Sequence, residues 1–108
     1  MSDKNFDDAF KTFVEGCERI SHAYTDKNFP KIGHDIFRVR TGSRYMKVTT
    51  SRVPSEHGSV FCFVDKTSGD VLKPAGWSGP AKHARGNIFD DNNGLGSIGP
   101  YGPAYLRR

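Results

Sequence analysis

The spacing of apolar residues changes period once along this chain, and the change falls at Asn28-Phe29-Pro30. Before it, Phe6, Phe10, Phe13, Val14, Cys17, Ile20 and Tyr24 draw one continuous stripe at helical spacing. The residue before a proline avoids the helical region, so the helix has to stop there. After it, Ile36 to Thr41 and Arg44 to Val53 alternate apolar with polar, as strands with one covered face do. A helix with one apolar stripe and strands with one apolar face each carry a surface that is costly to leave in water. Laying one on the other makes the fold α+β: an N-terminal amphipathic helix packed on an antiparallel sheet.

The helix is expected over about residues 3–26, capped by Ser2 or Asp3, with Asp3, Asp7 and Asp8 at the positive end of its dipole. Gly16 costs such a helix about 1 kcal/mol relative to Ala, yet the stripe continues past it. The sheet is expected over about residues 35–74 as a meander of roughly four strands. Gly42-Ser43 suits a two-residue type II′ turn, and Pro54 to Gly58 turns the chain again. Ser59 to Val64 is a continuous apolar run, as in a central strand covered on both faces. Lys66 to Gly69 reads as a hairpin loop with glycine in the left-handed position, and Pro74 ends the returning strand. Pro80 and Gly86 bracket a short helix over about 80–85. Residues 86–108 read as an irregular Gly/Pro-rich tail, tied down by Tyr101, Tyr105 and Leu106.

A chain of 108 residues makes a single domain with one core. Only 35% of it is hydrophobic, so burial has to be concentrated in its eight Phe and four Tyr. The net charge of +4 matters less than its distribution. Asp3, Asp7, Asp8, Glu15, Glu18 and Asp26 face only Lys4, Lys11 and Arg19 in the helical segment, whereas residues 36–54 carry Arg38, Arg40, Arg44, Lys47 and Arg52 and no acid. Such segregation gives a directional field that bears on association with polyanions. Cys17 and Cys62 belong to no Cys-x-x-Cys motif and sit among apolar neighbours, which reads as small buried hydrophobes. No signal-peptide pattern and no membrane-length apolar run is present, so the expectation is a soluble protein of a reducing cytoplasm.

The first hairpin carries the sharpest chemical reading. With Gly42-Ser43 as the turn, Arg40 lies opposite Tyr45, Val39 opposite Met46, Arg38 opposite Lys47 and Phe37 opposite Val48. Pleating then gathers Arg38, Arg40, Tyr45 and Lys47 on one face and Phe37, Val39, Met46 and Val48 on the other. Cations neutralise phosphates and an aromatic ring stacks on a base, so this face has the composition of a nucleic-acid surface. The plainer reading is a solvated face whose cations pair with acids on the helix or elsewhere. Lys82 and Arg85 form a second basic cluster that extends the first reading. Trp77, His83 and Phe89 define an alternative, a protein interface in the C-terminal segment. An exposed Trp77 favours that class and a buried one a structural role.

Other motifs carry no chemistry. Gly94-Leu-Gly96-Ser-Ile-Gly99 has the spacing of a dinucleotide fingerprint but lacks the strand before it and the helix after it. His22, His34, His57 and His83 are scattered without ligand spacing, so neither a metal nor another cofactor is expected. Cys62 between two Phe is no nucleophile, and Asp90-Asp91 stands in a turn-forming context; an enzyme is not expected.

The words Asp70-Val71-Leu72-Lys73, Trp77, Pro80-Ala81-Lys82-His83-Ala84-Arg85-Gly86-Asn87-Ile88-Phe89 and Gly102-Pro103-Ala104-Tyr105-Leu106-Arg107 resemble the C-terminal signature of small uncharacterised tailed-phage proteins. The resemblance covers about a third of the chain. It implies an infected bacterial cytoplasm and brings no activity with it. Three readings stand: an accessory protein that binds nucleic acid, a module that binds a host or phage protein or itself, and a virion component.

Overall fold

The computed structural model describes residues 5–31, 33–52, 58–99 and 102–103. One helix, α1 (Phe6–Asn28), packs on five antiparallel strands in the order β1 (Ile36–Thr41), β2 (Tyr45–Ser51), β3 (Ser59–Asp65), β4 (Asp70–Leu72) and β5 (Gly86–Asn87). A ribbon of two short strands, β6 (Ile98–Gly99) and β7 (Gly102–Pro103), follows a 3-10 turn at Leu95–Ser97. The α+β class and the meander are those expected, with a fifth strand added at the far edge.

The helix begins at Phe6 rather than near residue 3, because Asn5 caps it: its Oδ1 accepts the Asp7 N–H at 2.8 Å. The expected caps, Ser2 and Asp3, lie outside the described residues. At the other end Phe29 leaves helical geometry, with φ −142° and ψ 60°, and its N–H donates to the Thr25 carbonyl at 2.7 Å. Phe10, Phe13 and Cys17 of α1 are buried against Val48 of β2, Cys62 and Val64 of β3 and Val71 of β4. Burial pushes the Cys17 thiol up to about 12, with Glu18 adding to the rise, and pushes the Cys62 thiol well above its ordinary value, with Cys17 adding to it. Both cysteines are free and packed as apolar side chains.

Two local features make this packing possible. The pairing of β2 with β3 shifts between Val48↔Cys62 and Thr49↔Val60, leaving Phe61 as the extra residue of a bulge. Phe61 joins the helix-side core, its ring 5.1 Å from that of Phe37. Gly16, a weak point by propensity, is a notch: a Cβ there would lie 2.4 Å from Leu95 Cδ1. The glycine-spaced word at 94–99 therefore seats a leucine on the helix and then starts β6.

Three expectations are corrected. The first hairpin turns one residue later than expected, about Ser43-Arg44 rather than Gly42-Ser43, with Gly42 N–H donating to the Tyr45 carbonyl at 2.9 Å. Its register pairs Arg40 with Lys47, Val39 with Val48, Arg38 with Thr49 and Phe37 with Thr50. The end of β3 draws the connection over: Lys66 N–H donates to the Arg44 carbonyl at 2.9 Å, and Lys66 Nζ to the Gly42 carbonyl at 2.9 Å. The slip is two residues, an even number, so every side chain keeps its face. Second, residues 80–85 form no helix. Ala81 and Arg85 donate to the Lys73 and Val71 carbonyls at 2.7 Å each, so the segment runs beside β4. A single helical turn is costly to nucleate, and an open strand edge outcompetes it. Third, part of the expected tail is ordered as β5, the 3-10 turn, β6 and β7, while Tyr101, Tyr105 and Leu106 lie outside the described residues.

The loop between β3 and β4 is built around Asp65, which is buried. Its Oδ1 accepts the N–H groups of Thr67 at 2.8 Å and Ser68 at 3.1 Å, and Arg44 Nε donates to Oδ2 at 3.2 Å. Burial alone raises its pKa, but these backbone donors and the guanidinium outweigh it and hold the carboxyl below the ordinary range. A depressed folded pKa contributes stability that is present above the unfolded value, about 3.9, and lost as pH falls through the folded one. Asp65→Asn is therefore expected to lower the melting temperature at neutral pH. The gap from the parent protein should close in melts recorded below about pH 4. A gap that stays unchanged as the pH is taken well below that value would contradict this account.

Candidate functional site

The face of the sheet away from α1 is assembled mainly from β1, β2 and β3. Arg38, Arg40, Tyr45 and Lys47 share it, as the pleat requires, and the β2–β3 register sets Phe63 directly beside Lys47. Tyr45 and Phe63 meet edge to face, with ring centroids 6.0 Å apart at 69°. Lys47 Nζ lies 5.8 Å from the centre of the Phe63 ring, and the Arg44 guanidinium stands 5.1 Å from that of Tyr45.

Trp77 is brought to this face by a small reversal beyond β4. Pro74 and Pro80 form an isolated bridge, and Ala75 and Gly76 N–H donate to the Gly79 carbonyl at 3.0 and 3.3 Å. Trp77 therefore stands near the tip of a closed loop. Its ring is 4.4 Å from Lys47 Nζ and 5.9 Å from the Arg40 guanidinium carbon, both within cation–π reach. Trp77 is not buried against the sheet as a structural role would require: 41% of its surface is exposed, the outcome that favours an interface. On one side of the loop is a cleft of about 410 Å³ lined by Arg40, Ser43, Tyr45, Lys47, Phe63 and Ser78. On the other a shallower one of about 320 Å³ is lined by Val60, Pro74, Gly76 and Trp77 itself.

The helix that carries most of the N-terminal acids packs on the opposite side of the sheet from this face. Arg44 is paired with Asp65. Among the described residues, Arg40 and Lys47 meet no carboxylate; their close partners are rings. Cations held on aromatic faces are positioned without being discharged.

The second basic cluster takes another place. Lys82, His83 and Ala84 bulge outward and are exposed, with His83 at φ 72°. Arg85 turns inward instead: its Nη1 donates to the carbonyls of Lys82 and His83 and so closes the bulge. This cluster follows β4, away from the β1 edge that carries Arg38 and Arg40. Phe89 packs on the core, its ring 6.3 Å from that of Phe6, so Trp77, His83 and Phe89 make no common apolar face.

The histidines form one unexpected pair. His22 and His34 stack with centroids 4.0 Å apart at 6°, His34 Nε2 is 2.7 Å from Asp26 Oδ1, and His22 Nε2 is 3.3 Å from the Asp35 carbonyl. His57 lies outside the described residues. Among the described residues, no three His, Cys, Asp or Glu side chains are grouped to hold a metal ion, and no helix is long and apolar enough to cross a membrane.

Sequence reasoning left Phe63 unassigned and set Trp77 in the alternative interface rather than on this face. The run Ser59–Val64 is apolar throughout, so period alone does not say that Phe63 faces away from the helix; that requires the pairing with β2. The contact of Trp77 with Lys47 depends on the Pro74–Pro80 closure, for which the two prolines are the only sequence signal.

The model of a family of unknown function (DUF7717) matches residues 4–98, a span that contains α1, the whole five-stranded sheet and Trp77. No curated protein matches the chain, and no solved structure does.

Proposed function

We propose a function for a chain that belongs to the DUF7717 family of unknown function, a premise that supplies a fold and no activity. The reading is that of a non-catalytic accessory protein which binds nucleic acid through the face of the sheet opposite α1. One observation carries it: Arg40 and Lys47 sit on aromatic rings, without a carboxylate among the described residues, on strands that contain no acid. Nucleic acid is the polymer that meets both halves of this chemistry, since phosphates take up the cations and bases take up the rings. The resemblance of the C-terminal words to tailed-phage proteins supports an infected bacterial cell as the proposed setting of this role. A protein interface through Trp77, His83 and Phe89 is favoured by the exposure of Trp77 but has less support, because Phe89 is engaged in the core. For a virion component no feature of the surface speaks.

The test is fluorescence anisotropy of labelled single- and double-stranded DNA and RNA at two salt concentrations. Micromolar or tighter binding that weakens with salt is expected. Joint replacement of Arg38, Arg40 and Lys47 by Gln should reduce the slope of log affinity against log salt by roughly 2 to 3, as for three lost phosphate contacts. Absence of binding to every probe at low salt would sink the reading.

A further inference from the structure

We infer that the ligand of this face is a single strand, whose unpaired bases stack on Trp77 and lodge in the clefts on either side of its loop. The inference rests on the nucleic-acid reading above and narrows it. In a duplex the faces of the bases are covered by their neighbours, and only edges and phosphates are offered to a protein. An aromatic ring held half exposed among cations has nothing to stack on there, whereas every base of a single strand presents a π-face.

The relief of the surface points the same way. A face shaped for a rod-like duplex would present a continuous cationic track, but this one is notched on both sides of the Trp77 loop. The first notch has the Tyr45–Phe63 pair and Lys47 in its lining, with Ser43 and Ser78 beside them. The second is lined by Val60, Pro74 and Trp77. Their volumes, about 410 and 320 Å³, fall in the roughly 300–1,000 Å³ range of small-ligand pockets. Lys47 lines the first cleft and lies over the Trp77 ring, so the same ammonium can serve a phosphate passing from one cleft to the next. Ser43 and Ser78 supply hydroxyls, which rotate to donate or accept and so discriminate little between bases. Sequence preference is accordingly expected to be weak.

Trp77 is the only tryptophan in the chain, so its fluorescence reports on this site alone. The protein is titrated with short oligothymidine, oligouridine and a duplex of the same length, following Trp77 emission and, with labelled probes, anisotropy. Quenching by the two single strands and weaker binding of the duplex are expected. Trp77→Ala should lose roughly tenfold to a hundredfold in single-strand affinity with the salt slope kept, as for the loss of one stacked base. Trp77→Phe should recover much of that loss. The quenching needs no variant, so it decides the matter even if Trp77→Ala were to disturb the loop. Duplex binding as tight as single-strand binding, with Trp77 emission unchanged, overturns this inference and leaves the broader reading standing. Failure of all three probes to bind at low salt overturns both.

Discussion

Replacing Phe13 by Ala is expected to remove about 3–5 kcal/mol of stability, enough to unfold much of the protein if its total lies near the lower end of the usual 5–15 kcal/mol. Phe13 has no exposed surface and is the largest of the fully buried side chains among the described residues. It stands in the middle of the helical stripe, its ring 6.5 Å from that of Phe10, where α1 meets β2, β3 and β4. Truncation loses the burial of a ring and leaves a cavity that strands fixed by their ladder cannot collapse to fill. A domain of this size loses about 4–8 °C of melting temperature per kcal/mol, so the drop should be readily measured by thermal unfolding. Val39→Ala is the comparison. Val39 has the inward parity of β1 but is 42% exposed, so its truncation should cost far less. Equal losses for the two would show that the helix does not define the core as described.

Gly58→Ala should be the second severe change, at about 2 kcal/mol or more, although Gly58 is on the surface. It has φ +74°, and a Cβ there would lie 1.7 Å from the Thr50 carbonyl oxygen, an atom of the β2 backbone. Backbone strain and a collision with an immobile atom then act together. The two contributions separate in a series of urea melts. Gly33→Ala carries the strain alone, with φ +90° and open space around it. Gly76→Ala carries neither and should fall within about 0.5 kcal/mol of the parent protein. If Gly58→Ala behaves like Gly76→Ala, β2 and β3 do not approach each other as closely as described.

How much of this was legible in the sequence depended on whether an element is specified by its own period. The helical stripe from Phe6 to Tyr24 and the alternation from Ile36 onward are local signals, and they located α1, the meander and the side of the sheet that α1 covers. The basic face survived an error in the turn because parity, unlike register, is unchanged by a two-residue slip. Features set by distant contacts were not legible. Lys66 and Asp65 reshape the first connection from the far end of β3, and the Phe61 bulge has no sequence marker of its own. The segment from Pro80 to Arg85 contains ordinary helix-boundary residues, and only the carbonyls of Val71 and Lys73 make it run beside a strand. At the site, the cations and Tyr45 were readable by alternation, whereas Phe63 and Trp77 joined them through pairing and loop closure.

The seat of Leu95 on Gly16 has a consequence for how the molecule comes into being. During synthesis the helix emerges first, and nothing in its own sequence pins it to the sheet at its glycine. The residue that does so, Leu95, follows every strand of the five-stranded sheet in the chain. The core of α1 and the sheet is thus complete in sequence before the turn that carries Leu95, and that turn works as a latch on elements that all precede it.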